Sequence, residues 1–175
     1  MKLSSPLDID LLEFIRTGKF DYIKIGQTKE WISNNFPDPD LTYKDNYESP
    51  IWFYGNIEFH FYEDETLFLI YSDYIETLSG GDNLKLNKWI FNEPDKLTIE
   101  NVTHHLTKER IAFKLEFGSL SSGYTSAAIR ILTSHVKLSF ALEENDEDDI
   151  EVYHKRTMTE DANQFKLFSF SLSND

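Results

Sequence analysis

No cysteine occurs among the 175 residues, so the chain can form no disulfide, offers no thiolate nucleophile and cannot build a cysteine zinc site. Glycine and proline are scarce as well, at 7 and 5 residues, which argues against long unstructured tracts. Nowhere do about 20 apolar residues run without interruption, as a membrane-spanning helix requires. The start, MKLSSPLDIDLLEF, lacks an apolar stretch of signal-peptide length, so a cytoplasmic protein with no membrane partner is expected. Cations are few: 17 Lys and Arg face 31 Asp and Glu, for a formal charge of −14. That balance is unsuited to neutralising nucleic-acid phosphates, and no nucleic-acid partner is expected. It favours solubility and would attract a cationic partner. Gly80-Gly81 lacks the following Lys-Ser/Thr of a phosphate loop and reads as turn chemistry, so no cofactor is expected.

Aromatic side chains are abundant, with 14 Phe, 9 Tyr and 3 Trp. A chain of this length buries about 70 % of its unfolded surface, enough for one core, and a single domain over 1–175 is expected. Trp31, Trp52 and Trp89 are assigned to that core or its margin, because Trp supplies large apolar area.

The central feature is the stretch from Ile51 to Tyr74. Ile57, Phe59 and Phe61 alternate with Glu58, His60 and Tyr62, a period of two that places one set on a core and the other on a second face. Glu63-Asp64-Glu65 interrupts the pattern, and Leu67 to Tyr71 forms a second strand. Upstream, Gly55-Asn56 can close a tight turn, which would put Trp52 and Tyr54 on the Phe59 face. A strand running straight through Gly55 would put them with Glu58 and His60, and loop preferences favour the turn.

Earlier in the chain, Ser5-Pro6 with Asp8 and Asp10 reads as a helix start. Leu7, Leu11, Phe14 and Ile15 supply its apolar face and Gly18 its end, giving a helix over about 7–17. Phe20 to Ile25 is a weak strand, Thr28 caps a short helix up to Pro37, and 38–49 is a loop. Leu84 to Phe91 reads as a connector.

Thr98 to Leu106 then aligns without gaps on Thr28 to Phe36, matching the capping Thr, Glu30 with Glu100, Ile32 with Val102 and Phe36 with Leu106. Val136, Leu138 and Phe140 alternate with Lys137 and Ser139 as residues 57–61 do, and 150–153 is read as the returning strand. Further strands are expected at 111–117 and 127–132, and over 165–172 with Phe168, Phe170 and Leu172 on one side. The expected fold is α+β, one antiparallel sheet with helices on one face, built from two tandem helix-hairpin repeats over about 20–75 and 95–172.

Gly26-Gln27-Thr28-Lys29-Glu30, the short helix, Asn34-Asn35-Phe36-Pro37 and the run Trp52-x-Tyr54-Gly55-x-Ile57-x-Phe59-x-Phe61 are similar to a group of small bacterial immunity-like proteins of toxin systems. More distantly, the tandem pattern resembles the β-lactamase inhibitor protein and outer-membrane assembly lipoproteins of the same fold. The lipoproteins carry a lipidated Cys, which this chain lacks. The resemblance implies an open sheet face that grips a protein partner.

Glu58 and His60 share the second face, with Tyr62 beyond them and Tyr71 on the next strand. The expected function is a protein-binding module and, as the resemblance implies, an immunity-like inhibitor that occludes a toxin or other basic protein without catalysis. Glu58, His60, Tyr62 and Tyr71 are its candidate contacts. Residues 143–151, EENDEDDIE, carry seven acidic side chains, and Asp146, Glu147, Asp148 and Asp149 are candidates for electrostatic steering, although a solvated hairpin tip has the same composition. The run lacks the glycine and final glutamate of a calcium loop. The alternative is a small enzyme or ligand-binding protein with Glu58, His60 and Tyr71 around a cleft between the halves. Against it, no nucleophile motif or metal set is present. Adjacent His104 and His105 point about 100° apart on a helix, and His135 and His154 have no ligand at a recognised spacing.

Overall fold

Ile57, Phe59 and Phe61 are fully buried whereas Glu58 and His60, one step out of phase, are not, the signature of a strand with one covered face. The computed structural model describes residues 5–44, 49–119, 125–142, 151 and 161–174. In chain order its elements are β1 (Leu7–Asp10), α1 (Leu11–Thr17), α2 (Lys29–Asn35), β2 (Leu41–Lys44), β3 (Pro50–Tyr54), β4 (Ile57–Phe61), β5 (Leu67–Ser72) and β6 (Leu84–Asn87). There follow α3 (Ile99–Lys108), β7 (Phe113–Ser119), β8 (Thr125–Ile131), β9 (Lys137–Ala141) and β10 (Lys166–Ser173), with short 3-10 turns at Trp89–Asn92, Pro94–Lys96 and Ala162–Gln164. The fold is α+β, dominated by an eight-stranded antiparallel sheet in the order β2-β3-β4-β5-β10-β9-β8-β7. Buried residues of α1, α2 and α3 join the inward-facing residues of this sheet in one hydrophobic cluster. No helix of the described residues is long and apolar enough to cross a membrane.

The helix expected over 7–17 begins only at Leu11. Asp10, not Ser5, is the cap, its carboxylate accepting from the N–H of Leu12 at 2.9 Å and of Glu13 at 3.2 Å. Leu7–Asp10 is instead extended and pairs in parallel with Leu84–Asn87, so the expected connector contains a strand. Gly18 ends α1 in the left-handed region, at φ 69°, with its N–H on Phe14 O. In place of a strand at 20–25 there is a turn closed by reciprocal Phe20–Ile23 main-chain bonds. The Gly55-Asn56 turn forms and puts Trp52 opposite Phe59 and Tyr54 opposite Ile57. At Gly55, φ is 60° and a Cβ would lie 2.4 Å from Gly81 N, so only glycine fits.

Both Thr caps are in place: Thr28 Oγ1 accepts from Trp31 N–H at 3.2 Å and Thr98 Oγ1 from Asn101 N–H at 3.3 Å. Each helix start is also stitched to a border strand. Leu67 N–H donates to Gln27 O at 2.9 Å and Leu167 N–H to Leu97 O at 2.8 Å. Lys29 N–H donates to Glu65 O at 2.8 Å and Ile99 N–H to Phe165 O at 3.1 Å. Both border strands carry a bulge. Phe61 pairs with Leu67 and His60 with Leu69, stepping over Phe68; Phe140 pairs with Leu167 and Ser139 with Ser169, stepping over Phe168. The second bulge overturns the expectation that Phe168 sits with Phe170 and Leu172: it turns Phe168 out, 45 % exposed, while Leu167, Phe170 and Leu172 are buried.

The return strand expected over 150–153 falls outside the described residues apart from Glu151, which is helical and not extended; the strand beside β9 is β10. Trp52 is buried and Trp89 half-buried, but Trp31 is 41 % exposed. The seven-residue α2 buries only Ile32, and Trp31, one position earlier, rests edge-on against Tyr22 instead.

Candidate functional site

Alternation along each strand sends one set of side chains to the core, and register decides which of the remaining ones become neighbours. On the second face of the first four strands, Leu41 lies beside Phe53 and Phe53 beside Glu58; Tyr43 lies beside Ile51 and Ile51 beside His60. Continuing across, Glu58 faces Tyr71 and His60 faces Leu69. Leu41 and Tyr43 are more than half exposed. Three of the expected site residues, Glu58, His60 and Tyr71, are thus brought together in an apolar surround.

His60 Nε2 and Glu58 Oε2 are 2.6 Å apart, and their side chains retain only 21 % and 18 % of their exposure. The imidazole packs edge-on against Phe68, and Phe68 stacks on Tyr62 at a centroid separation of 4.3 Å. Tyr62, the fourth candidate, is therefore linked to the others through Phe68, the residue that the bulge turns outward. The Tyr71 phenol is pushed above the usual tyrosine range, first by burial, then by the charge of Asp73 and by donating a hydrogen bond to it, with a further push from Glu58; a hydrogen bond with Ser169 acts the other way. Neutral at physiological pH, Tyr71 is a donor to the Asp73 carboxylate and lies across the ladder from Glu58. This arrangement can orient the His60 ring and present hydrogen-bonding groups within an apolar patch.

The same face of the other four strands is different. Ser171 lies beside Tyr71, Lys137 beside Ser171, Arg130 beside Lys137 and Lys114 beside Arg130, so the row that starts at Glu58 ends in three cations. Ser169, Ser139 and Ala128 form the adjoining row and lead to Glu116, whose carboxylate is 3.6 Å from Lys114 and 3.7 Å from Arg130. Sequence reasoning missed this basic row. Its local signal, Lys114 and Lys137 at out-of-phase positions, is present, but only strand order makes the three cations neighbours. Asp146, Glu147, Asp148 and Asp149 lie outside the described residues.

Among the described residues, hollows also lie elsewhere. One of about 290 Å³ is lined by Asp73–Thr77, Pro94, Asp95, Ala141, Leu142 and Lys166–Phe168. Another lies beneath Thr133–His135, and a third lies between Trp89–Lys96 and α3. Glu58, His60 and Tyr71 line none of them. His104 and His105 contact each other edge to face, with His105 also against Trp89. Among the described residues no three His, Asp or Glu side chains come together as a metal site. No protein-family model matches the chain, and no curated protein or solved structure matches it either.

Proposed function

We propose that the chain is an internally duplicated protein-binding module of the immunity type, which occludes a basic partner protein with the second face of its large sheet. Duplication is supported by correspondence of main-chain geometry. With α2 and β2–β5 as one unit and α3 and β7–β10 as the other, the helix-to-strand bonds, both Thr caps and both bulges recur at matching positions. Residues 57–61 correspond to 136–140, Leu67 to Leu167 and Phe68 to Phe168. The two border strands run antiparallel, as an approximate two-fold axis between the units requires.

Binding is carried by one observation: an apolar patch of Leu41, Tyr43, Ile51, Phe53 and Leu69 surrounds the Glu58–His60 pair on the face away from the core. Apolar area with a few oriented polar groups is what a partner needs for affinity, and the overall charge of −14 selects a cationic one. The acidic run at 143–151 adds long-range attraction.

The test is capture of a small basic polypeptide by the tagged protein in its own host, followed by affinity measurement with variants. Glu58→Lys and Tyr43→Ala are each expected to weaken binding about thirtyfold, the effect of losing an interface anchor of about 2 kcal/mol, with folding unchanged. Unchanged affinity in both would remove this face from the interface. A charge-reversed 146–149 variant is expected to slow association rather than speed dissociation.

A further inference from the structure

At one end of the sheet order stands β7. Leu132 N–H donates to Ala112 O at 2.9 Å, which fixes the phase of the antiparallel ladder. Lys114 and Glu116 turn their main-chain groups towards β8; Phe113, Leu115 and Phe117 turn theirs away. Among the described residues no main-chain bond takes up those outward groups. Phe117 is 58 % exposed although it lies opposite buried Ala127. A seven-residue edge with apolar side chains is a template for strand addition, whereas the other edge, β2, has four residues.

We propose that β7 pairs with β7 of a second copy of this chain, antiparallel about a two-fold axis through Leu115. The occupant follows from self-complementarity. A two-fold centred on Leu115 puts 113 opposite 117, 114 opposite 116 and 115 opposite itself. The three residues whose main-chain groups point outward then meet one another and form about six hydrogen bonds. Phe117 is covered by Phe113 of the second copy. On the other face Lys114 stands opposite Glu116 of the second copy, twice by symmetry, in the pairs where side chains approach most closely. Lys114 is 68 % exposed, and its contact with the Glu116 of its own chain, at 3.6 Å, is too long to be a hydrogen bond. A register shifted by one residue would bury no such pairs. The net charge of each copy opposes association, but at physiological salt it is screened beyond about 8 Å while facing side chains are not. The product is a sixteen-stranded sheet made of two eight-stranded ones.

Sedimentation across a concentration series is expected to show a reversible dimer, weak because one strand pair buries less than about 1,200 Å². Lys114→Glu and Glu116→Lys, each placing like charges opposite one another twice, are each expected to weaken self-association about tenfold or more. Mixing the two single variants restores a heterodimer, and the K114E/E116K double variant restores the homodimer. Amide exchange supplies a second readout: Phe113, Leu115 and Phe117 become protected as concentration rises, while Lys114 and Glu116 are protected throughout. A chain that stays monomeric at every concentration, or a dimer indifferent to these substitutions, overturns the proposal.

Discussion

The two four-stranded halves of the sheet have in common a Thr cap, a pair of helix-to-strand bonds and a border-strand bulge, and they differ in most of what faces away from the core. At matching positions of the middle strands, Phe59 and Leu138 are both fully buried, as are Ile57 and Val136, and Phe61 and Phe140 are the same residue. On the other face Glu58 corresponds to Lys137, His60 to Ser139, Phe53 to Arg130 and Ile51 to Ala128. Packing explains the asymmetry. An inward side chain at close-packed density is constrained by every neighbour, whereas an outward one is constrained by little besides solubility and whatever binds there. The core face therefore records what the two halves must do alike, and the second face what distinguishes them: an apolar and acidic half beside a small-residue and basic half.

The sharpest way to break this comparison is to cut the same hole in both halves. Phe61→Ala and Phe140→Ala remove identical side chains, each fully buried and each opposite a Leu of a border strand. Each is expected to cost about 3–5 kcal/mol in urea unfolding, within a single transition, since both belong to one cluster. If either cost less than about 1 kcal/mol, the halves would not be mechanically equivalent.

The turns that join the inner strands are anchored differently, and substitution there should separate the halves. Asp40 accepts from Gly55 N–H at 2.6 Å and Asp82 N–H at 3.1 Å, tying the β3–β4 turn to the loop before β6. In the other half, buried Ser134 donates to Ile15 O at 2.6 Å and accepts from Val136 N–H at 3.2 Å, tying the β8–β9 turn to α1. Ser134→Ala strands buried main-chain groups and is expected to cost about 2–3 kcal/mol; Asp40→Ala, at an exposed site that water can enter, about 1.5 kcal/mol. The opposite ranking in chemical denaturation would show that the first half depends more on its turn.

Alkaline pH should strain the first half at Tyr54. Tyr54 donates to Pro37 O at 2.9 Å, and burial, followed by the charges of Asp38 and Asp40, holds its phenol far above the usual tyrosine range. Because the folded value is raised, the contribution is complete below about pH 10 and is lost as the unfolded phenol ionises above it. At the matching position stands Ile131, which cannot titrate. Tyr54→Phe is expected to lose about 1–2 kcal/mol at neutral pH and to lessen the decline in stability between about pH 9 and 11. A variant with an unaltered alkaline limb would assign that decline to other tyrosines.

Much of the first half was legible because its signals are local. Period-two alternation at 57–61, Gly55-Asn56 at a tight turn and Thr28 ahead of an apolar face each need only a few neighbouring residues. Glu58 and His60 were placed on one face for the same reason. What escaped depends on partners distant in sequence. Leu7–Asp10 is extended because Leu84–Asn87 lies beside it, and four residues are too few to show a period. Phe168 is outward because of a bulge, which inserts one residue and reverses the alternation behind it. Lys114, Arg130 and Lys137 become a row only through strand order. Trp31 is exposed because a two-turn helix buries a single stripe, and Ile32 occupies it.

The smallest effect probes the closest match. Thr28→Ala and Thr98→Ala each remove one side-chain acceptor from a helix N-terminus, where the usual cost is about 1 kcal/mol. Equal global costs are expected, since each Thr also bridges to a border strand through main-chain groups that the substitution leaves intact. Local behaviour should differ. The seven-residue α2 buries one side chain and the ten-residue α3 buries three, so α3 keeps tertiary anchorage that α2 lacks. Amide exchange in Thr28→Ala is therefore expected to accelerate along most of α2, and in Thr98→Ala only over the first turn of α3. Acceleration of the same extent in both would mean that the caps, rather than the buried stripes, hold these helices to the sheet.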